Sequence, residues 1–129
     1  MGTIEREVVN DEGLTIYTAQ GSLSREEVIN TIRNFYEKGP VTRNVLWDVS
    51  QAALHDLSAE DVQQIAHVPR KSLDLRAGGK TAIVAPDDLA YGLSRMYQTS
   101  SRTESLPFHL QVFRDADTAR SWLVEKDPE

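Results

Sequence analysis

Apolar and polar positions along this chain change period several times, and each change marks an element. Ile4 to Val9 alternates, with Ile4, Arg6 and Val8 on one side and Glu5, Glu7 and Val9 on the other. Asn10-Asp11-Glu12-Gly13 is turn chemistry, and Gly13 is able to take positive φ. Leu14 to Ala19 is a second β-branched and aromatic run, so the pair reads as an antiparallel hairpin. The period then becomes helical, with Val28, Ile29, Ile32, Phe35 and Tyr36 on one stripe. Ser24-Arg25-Glu26-Glu27 is a capping box at its start, and Lys38-Gly39-Pro40 is a stop signal at its end. Val41 to Val49 is nearly continuous in apolar residues, the pattern of a strand covered on both faces, and Asp48 interrupts it near its end.

Ser50 to Leu57 reads as loop. Ser58-Ala59-Glu60-Asp61 is a second capping signature, with Leu57 placed to staple against Val62 and a helix carrying Val62, Ile65 and Ala66. Pro69 kinks or ends that helix, leaving room for Arg70 to Leu73 to continue past a kink. Ala77-Gly78-Gly79 is a turn. Thr81 to Ala85 is a short apolar run that stops at Pro86, and Asp87 follows as an N-cap. The next helix has an apolar stripe of Leu89, Leu93, Met96 and Tyr97, with Tyr91, Arg95 and Gln98 off it. Thr99 to Ser105 reads as polar loop, and Leu106 to Phe113 as the last strand, with Phe108, Leu110 and Val112 on one face. Asp115 caps a final helix with Ala119, Trp122 and Leu123, and residues 125–129 are expected to fray. Trp47 is expected to lie in the sheet, largely buried, and Trp122 to pack its helix onto the same domain. The order ββαβαβαβα predicts a single α/β domain over residues 1–129. Its sheet is mixed, parallel apart from the N-terminal hairpin.

Composition narrows the function classes. A net charge of -6 and a pI near 5.0 repel a phosphate backbone on average, so no nucleic acid is expected as partner. Cysteine is absent, which removes thiolate chemistry and Cys-ligated metals and agrees with a reducing compartment. The start carries acids early and has no signal-peptide core, and no apolar run approaches the roughly 20 residues that span a bilayer. A soluble cytoplasmic protein is the expectation.

Few residue patterns point to a reaction. Gly79-Lys80-Thr81 resembles the end of a phosphate-binding loop, but Asp74 stands where that motif needs glycine, and the stretch precedes a strand. Asp87-Asp88 could form a carboxylate pair for a cation, yet both suit a helix start, where the dipole favours acids. His55, His67 and His109 have no ligand spacing. Gly92 within a helix implies close packing against a neighbour, or room for a ligand. Tyr91 and Arg95 share a helix face and could form a small recognition patch. No catalytic constellation, metal or cofactor is expected. Open α/β sheets present their sites at the carboxyl ends of the strands. That rule places the candidates there: Asp48, Ser50, Asp56, Ser58, Asp87 and Asp88, with Tyr91 and Arg95 further along. As an acidic group they suit a basic partner or a cation rather than a free phosphate.

Three stretches carry a resemblance to a known family: Asn44-Val45-Leu46-Trp47-Asp48-Val49-Ser50, Ala82-Ile83-Val84-Ala85, and Tyr91-Gly92-Leu93-Ser94-Arg95-Met96-Tyr97. The ending Val112-Phe113-Arg114-Asp115 with Ala119 and Trp122-Leu123 adds to them. Over nearly its whole length the chain resembles SpoIIAA-like, or STAS-like, domains, and within them a bacterial STAS/SEC14-type subfamily related in shape to Sec14/CRAL-TRIO lipid-binding domains. The resemblance implies a non-enzymatic regulatory or protein-interaction module, with a protein partner met by the loop Ser50 to Leu57 and the helix starts beyond it. In the anti-sigma-factor antagonists of the wider family an Asp-Ser-Ser-Gly segment carries a phosphorylated serine. Here the matching stretch is Asp56-Leu57-Ser58-Ala59, which keeps the acid and Ser58 but not the first serine or the glycine. The Sec14/CRAL-TRIO likeness implies the alternative, a binder of a small apolar or lipid-like ligand. The sequence leaves the oligomeric state open.

Overall fold

The computed structural model describes residues 2–125, so the expected fraying of 125–129 lies, past Glu125, outside the described residues. Their architecture is one sheet of five strands in the order β1-β2-β3-β4-β5 with four α-helices. β1 (Thr3–Val9) and β2 (Leu14–Ser22) form the expected antiparallel hairpin, with Ile4 opposite Ala19 and Val9 opposite Leu14. Gly13 between them sits at φ 59, in the left-handed region that glycine enters at no steric cost. β3 (Asn44–Ala53), β4 (Lys80–Val84) and β5 (His109–Phe113) then add in parallel.

Three helices cover one face of the sheet. α1 (Arg25–Lys38), α2 (Ala59–Ala66) and α3 (Asp88–Thr103) pack over Tyr17, Ala19, Val45, Val49, Ile83 and Val112. α4 (Ala116–Val124) covers the other face, placing Ala119 and Leu123 on Leu46, Ala82, Val84 and Phe113. All five residues of β4 are buried, as a strand between two layers requires. Lys80 at its start reaches α4 and donates to the carbonyls of Trp122 (2.8 Å) and Glu125 (2.5 Å), closing that helix's C-terminal end.

Several expectations from the pattern are corrected. β3 runs on to Ala53 instead of ending at Val49. A bulge shifts the register from Thr18–Asp48 to Gln20–Gln51, and β2 then pairs its last residues with Gln51 to Ala53. α2 stops at Ala66, and Arg70 does not continue it. The Arg70 guanidinium folds back to donate to the carbonyls of Ile65, Ala66 and Val68, and Leu73–Arg76 forms one 3-10 turn instead. α3 continues to Thr103 through the stretch read as polar loop, with Thr99 and Thr103 turning their hydroxyls onto the carbonyls of Arg95 (3.2 Å) and Thr99 (3.3 Å). The last strand starts at His109 rather than Leu106.

The largest correction concerns which face of α3 is inside. Ala90, Ser94, Gln98 and Ser101 are buried, whereas Leu89 is 51% and Met96 37% exposed. Small side chains let the helix approach the sheet, and Gln98 Nε2 anchors it on the carbonyl of Leu110 at 2.7 Å. Leu93 and Tyr97 flank the buried line and are half-buried. Gly92 therefore faces open space, with nothing within 4 Å of where a Cβ would be, and close packing does not account for it. Trp47 and Trp122 lie in the sheet and on α4 as expected, but each is half-buried. Trp47 stacks on Tyr17 at 4.8 Å and Trp122 on Phe113 at 5.5 Å.

Both capping boxes read from the sequence are formed, Ser24 with Glu27 and Ser58 with Asp61. The backbone N–H of Ser58 donates to Asp61 at 3.0 Å and holds its carboxyl below the usual range, with Arg25 adding to the effect. A folded pKa below the unfolded one means that this contribution is present above the unfolded value and lost as pH falls through the folded one. Two measurements check these local energetics by denaturant unfolding. Gly92→Ala should stabilise the protein by about 1 kcal/mol, since the helix gains propensity with no clash. Ser58→Ala should destabilise it by about 1 kcal/mol through the lost N-cap hydroxyl.

Candidate functional site

The parallel run of β2 to β5 delivers every helix N-terminus to one edge of the sheet. Each is capped by a side chain of its own. Ser24 accepts from Glu27 N–H, Ser58 from Asp61, Asp87 from Ala90 and Asp115 from Thr118. Those N–H groups are already taken up, which leaves the edge dominated by acid oxygens rather than by free donors.

The candidate residues of the sequence fall into separate groups on this edge. Asp48 turns onto Ser50, accepting from its N–H at 3.0 Å and its hydroxyl at 2.6 Å. Since Trp47 and Val49 face α1–α3, Asp48 between them lies on the α4 side. Asp56 is exposed in the loop before α2, with His55 Nε2 3.5 Å away. Ser58 and Asp61 are tied to α1 by Arg25, whose Nη1 lies 3.6 Å from Asp61. Asp87 caps α3, and the neighbouring Asp88, its side chain 97% exposed, pairs with Arg114 at 2.9 Å. Arg114 also donates to the carbonyl of Pro86 (2.8 Å) and lays its guanidinium 4.0 Å from the ring of Tyr91. Tyr91 thus pairs with Arg114 rather than with Arg95, which stands exposed one turn along. No hydrogen bond or ion pair among the described residues joins these groups into one constellation. The sequence reading missed Arg25 and Arg114. Arg114 had a signal, its place between the end of a strand and the cap of the next helix.

A second candidate region lies inside, at residues the sequence reading did not single out. Between the sheet and α1–α3 is an apolar cavity of about 90 Å³, walled by residues that include Leu23, Ile32, Trp47, Leu54, Ile65 and Leu93. It adjoins a recess of about 30 Å³ that shares Ile32, Trp47 and Tyr97 and adds Tyr17, Tyr36, Arg70, Arg76 and Phe108. Arg76 is 2% exposed. Its guanidinium donates to the carbonyls of Arg43 (3.2 Å) and Lys80 (3.0 Å), to Thr81 Oγ1 (2.8 Å) and to Tyr36 OH (3.3 Å). It lies 4.1 Å from the Phe108 ring centroid, a cation–π contact in a desolvated setting. Arg70 donates to Tyr97 OH at 3.1 Å. Desolvation lowers the Arg76 pKa, and it pushes the Tyr17 hydroxyl up to about 12. Among the described residues no group of three or more His, Cys, Asp or Glu could hold a metal ion, and no helix is long and apolar enough to cross a membrane.

Comparison with known proteins bears on the fold. No protein-family model matches the chain, and no curated protein matches it. Among solved structures it is similar to an uncharacterised protein of Shewanella loihica with a SpoIIAA-like fold. The identity is 18%, the alignment covers 95% of this chain and 93% of that one, and the TM-score is 0.52. It is also similar, at 12% identity and a TM-score of 0.49, to an anti-sigma factor antagonist from Mycobacterium paratuberculosis, over 97% of this chain and 96% of that one. At such identities the likeness is one of architecture: this chain has a SpoIIAA-like fold.

Proposed function

We propose that the protein is a non-enzymatic interaction module that docks a basic segment of a protein partner on the carboxyl edge of its sheet. The observation that carries this reading is the state of that edge. Four self-capped helix starts leave exposed carboxylates there, and Tyr91 with Arg114 supplies an aromatic and cationic rim beside Asp88. Opposed charge steers such an encounter and makes it salt-dependent. Ser58 would regulate docking if phosphorylated, because the added charge would lie against Asp61 and disturb the capping box. A second reading, a small apolar ligand, is favoured by the cavity beside Trp47. Intact-mass analysis under native conditions separates the two, since a co-purifying small molecule supports the second.

The test of the first reading is capture from the native cell with mass spectrometry, comparing the wild type with Asp87→Asn/Asp88→Asn. Asparagine keeps the N-cap, so the fold should be retained. The partner should be captured by the wild type, released by added salt, and captured about tenfold less by the variant. A partner retained equally by the variant, and lost instead on replacing the exposed Leu89 and Met96, would contradict the strand-end site.

A further inference from the structure

We propose that the interior binds a small organic carboxylate. Its carboxyl group is received by the hydroxyls of Tyr17, Tyr36 and Tyr97 in front of Arg76 and Arg70, and its apolar part lies in the cavity beside Trp47. The proposal rests on the ligand-binding reading above and adds the chemistry of the head group.

The argument starts from charge. A guanidinium as buried as Arg76 normally faces a carboxylate, because desolvating a lone cation is costly. Here its partners are neutral: two backbone carbonyls, a threonine and a tyrosine hydroxyl. Among the described residues no carboxylate lies within ion-pair distance of Arg76 or Arg70. Carbonyl dipoles and the Phe108 face make the buried charge tolerable without neutralising it.

The hydroxyls supply the second half of the argument. Tyr36 OH accepts from Arg76 and Tyr97 OH from Arg70, and a phenol that accepts in this way keeps its own proton to donate. Tyr17 is 4% exposed and lines the recess, where its hydroxyl is a further potential donor. The recess therefore gathers donors from β2, α1, α3 and the loop before β4 and supplies no acidic acceptor. A carboxylate has two oxygens, one negative charge and a planar head, and it completes such a set with charge-assisted hydrogen bonds. Burial keeps the Tyr17 proton in place across the physiological range, so the hydroxyl stays a donor.

Size and polarity define the rest of the molecule. The recess adjoins the cavity at Ile32, Trp47 and Tyr97, which line both. At about 90 Å³ the cavity is smaller than the ~150 Å³ that admits a benzene ring, so the apolar part is short, about three to five carbons. Leu54 and Leu57, in the loop before α2, wall the cavity toward the strand-end edge and set the far limit of the chain.

The test compares sodium hexanoate with 1-hexanol on the intact protein. Isothermal titration calorimetry gives the affinity, and the indole N–H resonance of Trp47 reports the location. Hexanoate should bind saturably, shift Trp47, and bind about tenfold more tightly than hexanol. Tyr17→Phe keeps the ring contacts with Phe35 and Trp47 and should weaken hexanoate about tenfold while leaving hexanol unchanged. Leu54→Phe, which fills the cavity from the loop side, should abolish binding of both compounds. If hexanol binds as well as hexanoate, or Tyr17→Phe changes neither, the carboxylate assignment is overturned while ligand binding in the cavity stands. If neither compound binds the wild type, both are overturned.

Discussion

One guanidinium holds together the interior on which the rest of the molecule is arranged. Arg76, at the end of a single 3-10 turn, reaches the chain entering β3, the first residues of β4, the C-terminal half of α1 and the ring just before β5. Three of those segments lie at the amino ends of β3, β4 and β5. Their positions fix where the parallel strands begin, and hence where their carboxyl ends emerge. The charge that ties the amino end together is also the one that lacks an acidic partner among the described residues. A buried cation held only by neutral groups stores an attraction for an anion.

The two ends of the sheet thus have opposite character. At the carboxyl edge the helix starts consume their own donors and display acids. Inside, toward the amino end, the tyrosine hydroxyls and two guanidinium groups gather beside a small apolar space. Leu54 and Leu57 lie between these regions, walling the cavity and leading into the capped start of α2.

Much of this architecture was legible in the sequence. Alternation in Ile4 to Val9, the apolar runs and the serine and aspartate caps specify the element order, because each is a local signal that tertiary packing did not override. The face of α3 was read wrongly for a definite reason. Hydrophobicity favours Leu89 and Met96, but the buried line is made of Ala90, Ser94 and Ser101, whose value lies in size rather than apolarity. The end of β3 was missed because Ser50 and Gln51 carry no strand signal and pairing resumes at Gln51 only past a bulge. The interior site had no local signal at all. Arginine is rarely buried, and Tyr17, Tyr36, Arg76 and Tyr97 stand in different elements that meet only in the folded chain.

The central claim, that Arg76 is a charged, buried and internally held group, is tested most directly by the arginine side-chain N–H resonances of uniformly 15N-labelled protein. The account predicts that Arg76 Nε–H gives a sharp signal that exchanges slowly with water and survives well above neutral pH, while the exposed Arg33 and Arg95 exchange fast. An Arg76 signal that exchanges as fast as theirs would show the guanidinium open to solvent, and would contradict both the buried charge and the site built on it.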